Sequence, residues 1–199
     1  DGWAGMDVSF RFEAEGESGS PFPAWPVWAN PTVYRSVPPD LARKNVILLS
    51  IDTLRADHLS SYGYRYPTSP FIDERFAQGG SVFDHPVAAA ATTSPAHASI
   101  FTAVDVATHQ TYDGFHALPA LPTLPELVRA AGFDTVSYNE NGWLSARIGF
   151  SRGFDRFVEN RSDNINSPSG QVDETFDAAA KWIRENRDTP FFLFLHTYQ

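Results

Sequence analysis

Cysteine is absent from the 199 residues. That removes disulfides, thiolate metal sites and a cysteine nucleophile together, and it leaves the redox compartment open. No Lys/Arg cluster offsets the formal net charge of −9, so nucleic acid is not an expected partner. Long apolar runs are missing too. The longest, Phe191 to Leu195, is strand-sized, and no membrane segment is expected. Asp1 rather than Met opens the sequence, with no visible signal peptide, which reads as a processed, trimmed or partial chain. No address is written in it; a periplasmic or secreted setting is the expectation. What is present is ordinary globular composition, 42% apolar and 20% charged, enough for one cored domain with or without an appendage.

The appendage is residues 1–44. Val8 to Glu13 alternates apolar and polar, as a half-buried strand does. Pro21, Pro23, Pro26, Pro31, Pro38 and Pro39 follow, interleaved with Trp25, Trp28 and Tyr34, and forbid helix and central strand. The expectation is a proline- and tryptophan-rich arm, or the tail of an upstream β-domain. From residue 45 strand and helix patterns alternate. Asn45 to Ile51 and Phe191 to Leu195 are continuous apolar runs, predicting strands buried on both faces of a parallel sheet. Ser69-Pro70 predicts a helix start, with a stop at Gly79-Gly80 and a short strand from Val82 and Phe83. Ser94 to Thr102 reads as helix, and Thr123 with Glu126 forms a capping-box pattern before a Gly132 stop. Phe133 to Tyr138 reads as a strand and Val172 to Arg187 as the longest helix, with a polar loop at Asn160 to Gly170. The class is α/β, a mostly parallel sheet flanked by helices on both faces.

In such sheets, ligands bind beyond the carboxyl ends of the strands. Asp52 follows the first apolar run and His196 the last, placing both at one edge. An aspartate there is a metal ligand or base, or else it caps the next turn. His196 is an active-site contact, or else an ordinary hydrogen-bonded strand-end histidine. Thr92-Thr-Ser-Pro-Ala-His-Ala-Ser99 puts hydroxyls at a helix start, among free N–H groups. That suits a tetrahedral anion, or a plain helix cap. Together the two features say more. A carboxylate holds a divalent cation, and the cation supplies the activation that a threonine hydroxyl lacks alone.

The stretch from Asn45 to Tyr64 resembles the opening strand and metal motif of the sulfatase branch of the alkaline-phosphatase superfamily. Thr68 to Asp73, Phe76 to Gly80 and Phe83 are similar to its next segment, and Thr93 to Thr102 to its nucleophile helix. Thr108-His109, Leu124 to Thr135, Gly149 to Phe157 and Pro190 to Tyr198 continue the pattern in order. The resemblance spans residues 45–199 and implies the N-terminal part of a catalytic domain with an alkaline-phosphatase-like fold. It implies Asp52 as a metal ligand and Thr93 as nucleophile and metal ligand. His97 stands where many sulfatases carry an arginine that orients the nucleophile, and His109 and His196 become active-site contacts. Arg55 and Asp57 match the motif, but their charges suit bracing the loop. The implied cofactor is a divalent metal (calcium, zinc or manganese). The implied substrate is a small-molecule or glycan phosphate or sulfate ester.

Departures sharpen the reading. Formylglycine is made from Cys or Ser, and Thr93 yields no such aldehyde; Ser94 comes one place late. Where many sulfatases place a Lys and a His after the Phe133 strand, this chain has Asn139, Glu140, Asn141 and Gly142. The resemblance is thus to threonine-nucleophile members, which cleave phosphate esters or transfer phospho-groups. The family's remaining ligands, an Asp with a His or Asn, lie downstream of the last strand here. A metal-dependent hydrolase or phospho-group transferase is expected, incomplete without a C-terminal part of the same precursor. The alternatives are a formylglycine-independent or degenerate sulfatase, and a non-catalytic sulfatase-like binding module.

Overall fold

The computed structural model describes residues 45–140, 142–160 and 171–198. The expected arm at 1–44 and nearly all of the polar loop expected at Asn160 to Gly170 lie outside these residues. Among the described residues, four strands form one parallel sheet in the order β1-β4-β2-β3. They are β1 (Val46–Ile51), β2 (Asp134–Asn139), β3 (Arg156–Glu159) and β4 (Phe191–Thr197). Every residue of β4 is buried. Its side chains alternate between two cores, as strand geometry requires. Phe192 and Phe194 pack with Ala98 and Phe101 of helix α2 (Thr93–Thr102). Leu193 and Leu195 pack on the other face with Ala179 of α5 (Val172–Glu185), whose apolar stripe also brings Phe176, Trp182 and Ile183. The sheet therefore carries helices on both faces, as expected.

Helix α4 (Leu124–Ala130) starts with both bonds of its capping box formed, between Thr123 and Glu126. It leans on Gly153, where a Cβ would fall 2.2 Å from the Glu126 amide nitrogen. The chain makes this approach just before β3, a strand the sequence pattern leaves unmarked.

Several expectations need correction. β1 is not buried on both faces. Val46, Ile47 and Leu49 are exposed, because among the described residues β1 is the edge strand and β4 its partner. β4 runs through Thr197, so His196 lies within the strand and not beyond it. Val82 and Phe83 form no strand; both are exposed and outside the sheet's ladders. The helix after Ser69 is one turn, α1 (Pro70–Ile72), widening into a π turn at Asp73–Ala77. Ser69 does not cap it: the hydroxyl donates to the Asp73 carboxylate at 3.1 Å. Among the described residues, no helix is long and apolar enough to cross a membrane.

Candidate active site

β1 delivers Asp52 to the sheet's carboxyl edge. The Asp52 N–H donates to the Thr197 carbonyl at 2.8 Å, carrying the β1–β4 ladder one residue past the strand. The next residue, Thr53, has φ 59°, a left-handed conformation that a β-branched side chain resists. Such corners cost about 1–3 kcal/mol and cluster at functional sites.

Thr93 is the first residue of α2. Thr92, extended at φ −126° and ψ 153°, makes no side-chain cap bond. The hydrogen bond that opens the helix runs from the Ala96 N–H to the Thr92 carbonyl, and Pro95 has no N–H to give. The uncapped first turn, Thr92 to Pro95, lines an open cleft of about 410 Å³. In that cleft the Thr93 hydroxyl donates to Asp52 Oδ2 at 2.8 Å, across 41 positions of sequence. The aspartate singled out by its position and the threonine singled out by the family resemblance thus touch.

His196 is wholly buried, with Nε2 3.3 Å from the same Asp52 oxygen. A carboxylate only accepts, so Nε2 carries the proton. Burial, then the neighbouring His97, push this imidazole down to about 4 against the pull of Asp52. It is neutral at ordinary pH. His97 meets Thr93 through the backbone and not the hydroxyl. Its Nδ1–H donates to the Thr93 carbonyl at 2.8 Å, and its Nε2 accepts from the Ser50 hydroxyl at 2.9 Å. Burial holds His97 below its usual range, outweighing the Thr93 carbonyl and Asp52. Where an arginine would bring charge, a neutral ring fixes the start of α2 to β1.

Tyr198 lines the same cleft as Thr93. Its phenol is pushed up to about 12, chiefly by burial, with Thr93 drawing it the other way and Asp52 adding to the rise. Tyr198 and Ser50 escape the sequence reading, though a signal exists for both. Ser50 is the register partner of His196, and Tyr198 lies two residues after His196, just past the end of β4.

His109, the last residue of α3 (Val106–His109), is not brought to the pair. It is buried, its Nε2 donating to Ser99 at 2.9 Å and its Nδ1 accepting from the Thr111 N–H at 3.0 Å. It ties α2 to the following loop and is no part of the cleft lining. Ser94 turns away as well, donating to the Trp143 carbonyl at 2.6 Å. Arg55 and Asp57 form a bidentate, exposed ion pair at 2.9 and 2.6 Å, bracing their loop. Glu140 is buried and accepts from Thr197 at 3.1 Å.

The Asp52 carboxylate and the Thr93 hydroxyl present hard oxygen donors on the cleft wall, and they fit one side of a divalent-cation site. Among the described residues, no group of three or more His, Asp or Glu side chains could hold a metal ion. A complete site needs donors from elsewhere.

The family model described as Sulfatase matches residues 44–199. Among solved structures, the phosphonate monoester hydrolase of Agrobacterium radiobacter is 21% identical with a TM-score of 0.67, over 79% of this chain and 41% of that one. A protein solved with its substrate D-glucosamine-2-N,6-O-disulfate is 22% identical with a TM-score of 0.65, over 78% and 34%. The C-terminal periplasmic domain of EcEptC from Escherichia coli, in complex with zinc, is 16% identical with a TM-score of 0.62, over 77% and 43%. At such identities the likeness is one of fold. The chain spans less than half the length of each. A comparison with curated proteins finds no match.

Proposed function

The chain belongs to the sulfatase family, and from that premise we propose that it carries the nucleophile side of a metal-dependent hydrolase, or phospho-group transferase, acting on phosphate or sulfate esters through Thr93. The single observation behind this is the 2.8 Å contact between Thr93 Oγ1 and Asp52 Oδ2. Asp52 and Thr93 would hold a divalent cation (calcium, zinc or manganese) with further donors from outside the described residues. That cation supplies the Lewis acidity that lowers a hydroxyl pKa and offsets phosphoryl charge.

The protein's own groups do the rest. Asp52 Oδ2 accepts the Thr93 hydroxyl hydrogen bond and marks where its proton departs. The Thr93 oxygen attacks phosphorus in line as the bond to the leaving alcohol breaks. The uncapped first turn of α2 faces the negative oxygens with its N–H groups. His97 keeps that turn in place through the Thr93 carbonyl. Water, or a second alcohol, then takes the group from the threonine ester. A threonine oxygen forms a phosphate ester directly, whereas formylglycine chemistry is closed to it, so phosphate esters are the favoured class.

The test is Thr93→Ala in the intact protein. Turnover of an aryl phosphate should fall on the order of 10³-fold or more with the melting temperature kept, and mass spectrometry should find the phospho-adduct of the wild type on Thr93. Retained turnover would move the nucleophile elsewhere. Parallel assays on the phosphate and sulfate esters of one phenol separate the phosphatase reading from the sulfatase one. The short donor set also favours a second reading, a non-catalytic binding module. That module would show no metal-dependent rise in melting temperature.

A further inference from the structure

Beside Thr93 the cleft wall is aromatic. Tyr112, Phe115, Trp143 and Tyr198 line it together with Asp52. Phe115 is 74% exposed, Tyr112 55% and Trp143 48%, leaving large rings in water at the mouth. Single exposed rings are ordinary, but several converging on one nucleophile call for an occupant.

These rings are held in place. The Asp113 carboxylate accepts from the N–H groups of Phe115 and His116 at 2.8 and 3.1 Å, which folds a tight turn under Phe115. The Trp143 carbonyl accepts from Ser94, the residue after Thr93. The indole lies directly on Gly114, where a Cβ would sit 1.9 Å from Trp143 Cε3. Phe115 meets the indole edge to face, with centroids 6.1 Å apart. The charge of the wall is one-sided. Asp52 and Asp113 line the cleft, and no Lys or Arg does among the described residues.

We propose that Trp143, with Phe115 and Tyr112, forms a leaving-group subsite for a flat, uncharged aromatic alcohol, so that the preferred substrate is an aryl monoester and not a polyanionic sugar. This rests on the reading of Thr93 as nucleophile and names the substrate class for that site. A phenyl ring covers the exposed aromatic faces and sheds their water. A leaving group with a second sulfate meets Asp113, already bonded to the His116 imidazole at 2.7 Å, and no Lys or Arg among the described lining residues.

Binding calorimetry on the intact protein, with divalent cation present, tests it through phenylphosphonate, methylphosphonate and D-glucosamine-2-N,6-O-disulfate. Phenylphosphonate should bind about tenfold tighter than methylphosphonate, and the disulfate no tighter than methylphosphonate. Trp143→Ala should erase the phenyl preference and Trp143→Phe keep most of it. Gly114→Ala, which pushes the indole off its seat, should erase it too. Phe115→Ala changes an exposed ring with little fold risk and should reduce it. Equal affinity for the two phosphonates, tighter binding of the disulfate, no binding of any probe, or a phenyl preference surviving both Trp143→Ala and Gly114→Ala would overturn the proposal. Thr93→Ala separates the two readings. It should lose turnover of phenyl phosphate yet keep the phenyl preference in binding. Turnover that persists in this variant removes the nucleophile assignment, whereas a lost phenyl preference in the wild type removes the subsite alone.

Discussion

β1 and β4 lie side by side in the sheet, and both are built of long aliphatic or aromatic side chains. β4 is buried along its whole length, with a strand on each side and a helix over each face. β1 leaves Val46, Ile47 and Leu49 exposed and turns abruptly at Thr53. Both strands nonetheless hand polar groups to the same edge, Asp52 from one and His196 with Tyr198 from the other. The lesson is a division of labour. β4 anchors the fold and carries the supporting groups, while the end of β1 carries the charged group that touches Thr93.

The sharpest way to break that division is Asp52→Ala. Hydrolysis of an aryl phosphate by the intact protein should drop on the order of 10³-fold, while the thermal midpoint moves little. A large loss of stability would show that the end of β1 is structural after all. Next in size is the pair of core truncations. Phe194→Ala, in β4, should cost about 3–5 kcal/mol in a urea titration, and Ile47→Ala, in β1, less than about 1 kcal/mol. Equal costs would erase the contrast between the strands. Thr53→Gly relieves the left-handed corner and should gain about 1 kcal/mol of stability with a severalfold loss of kcat, since Asp52 is then held less firmly. A gain in both would mean that the strain serves nothing.

The smallest effect lies off both strands and serves as their control. Burial opposes ionisation of Glu126, but the Thr123 amide and hydroxyl, with Arg152, hold its carboxyl below the usual range. A depressed folded-state pKa gives stability that is present above the unfolded value of 4.5 and lost as pH falls through the folded one. Thermal melts below about pH 5 should therefore fall slightly more steeply for the wild type than for Glu126→Gln. A steeper fall in the variant would reverse the sign.

Much of this site is legible in the sequence because it follows from position. An aspartate ending an apolar run is placed by the backbone pattern itself, the pattern puts hydroxyls at a helix start, and the family resemblance picks Thr93 among them; the structure joins the two at 2.8 Å. The capping box of Thr123 and Glu126 is local and equally readable. Edge position is different. The Val-Ile-Leu-Leu run of β1 states a preference for burial and cannot say which neighbours supply it. The aromatic wall is unreadable for another reason. Trp143 reaches Gly114 across a gap in sequence that no periodicity links, through a contact only the folded loops create. His109 shows the reverse case, a polar residue inside a matching motif whose nitrogens serve the fold.

The bond from Ser94 to the Trp143 carbonyl ties two parts of the cleft wall together. A shift of the helix that opens with Thr93 is therefore passed to the backbone that carries the indole.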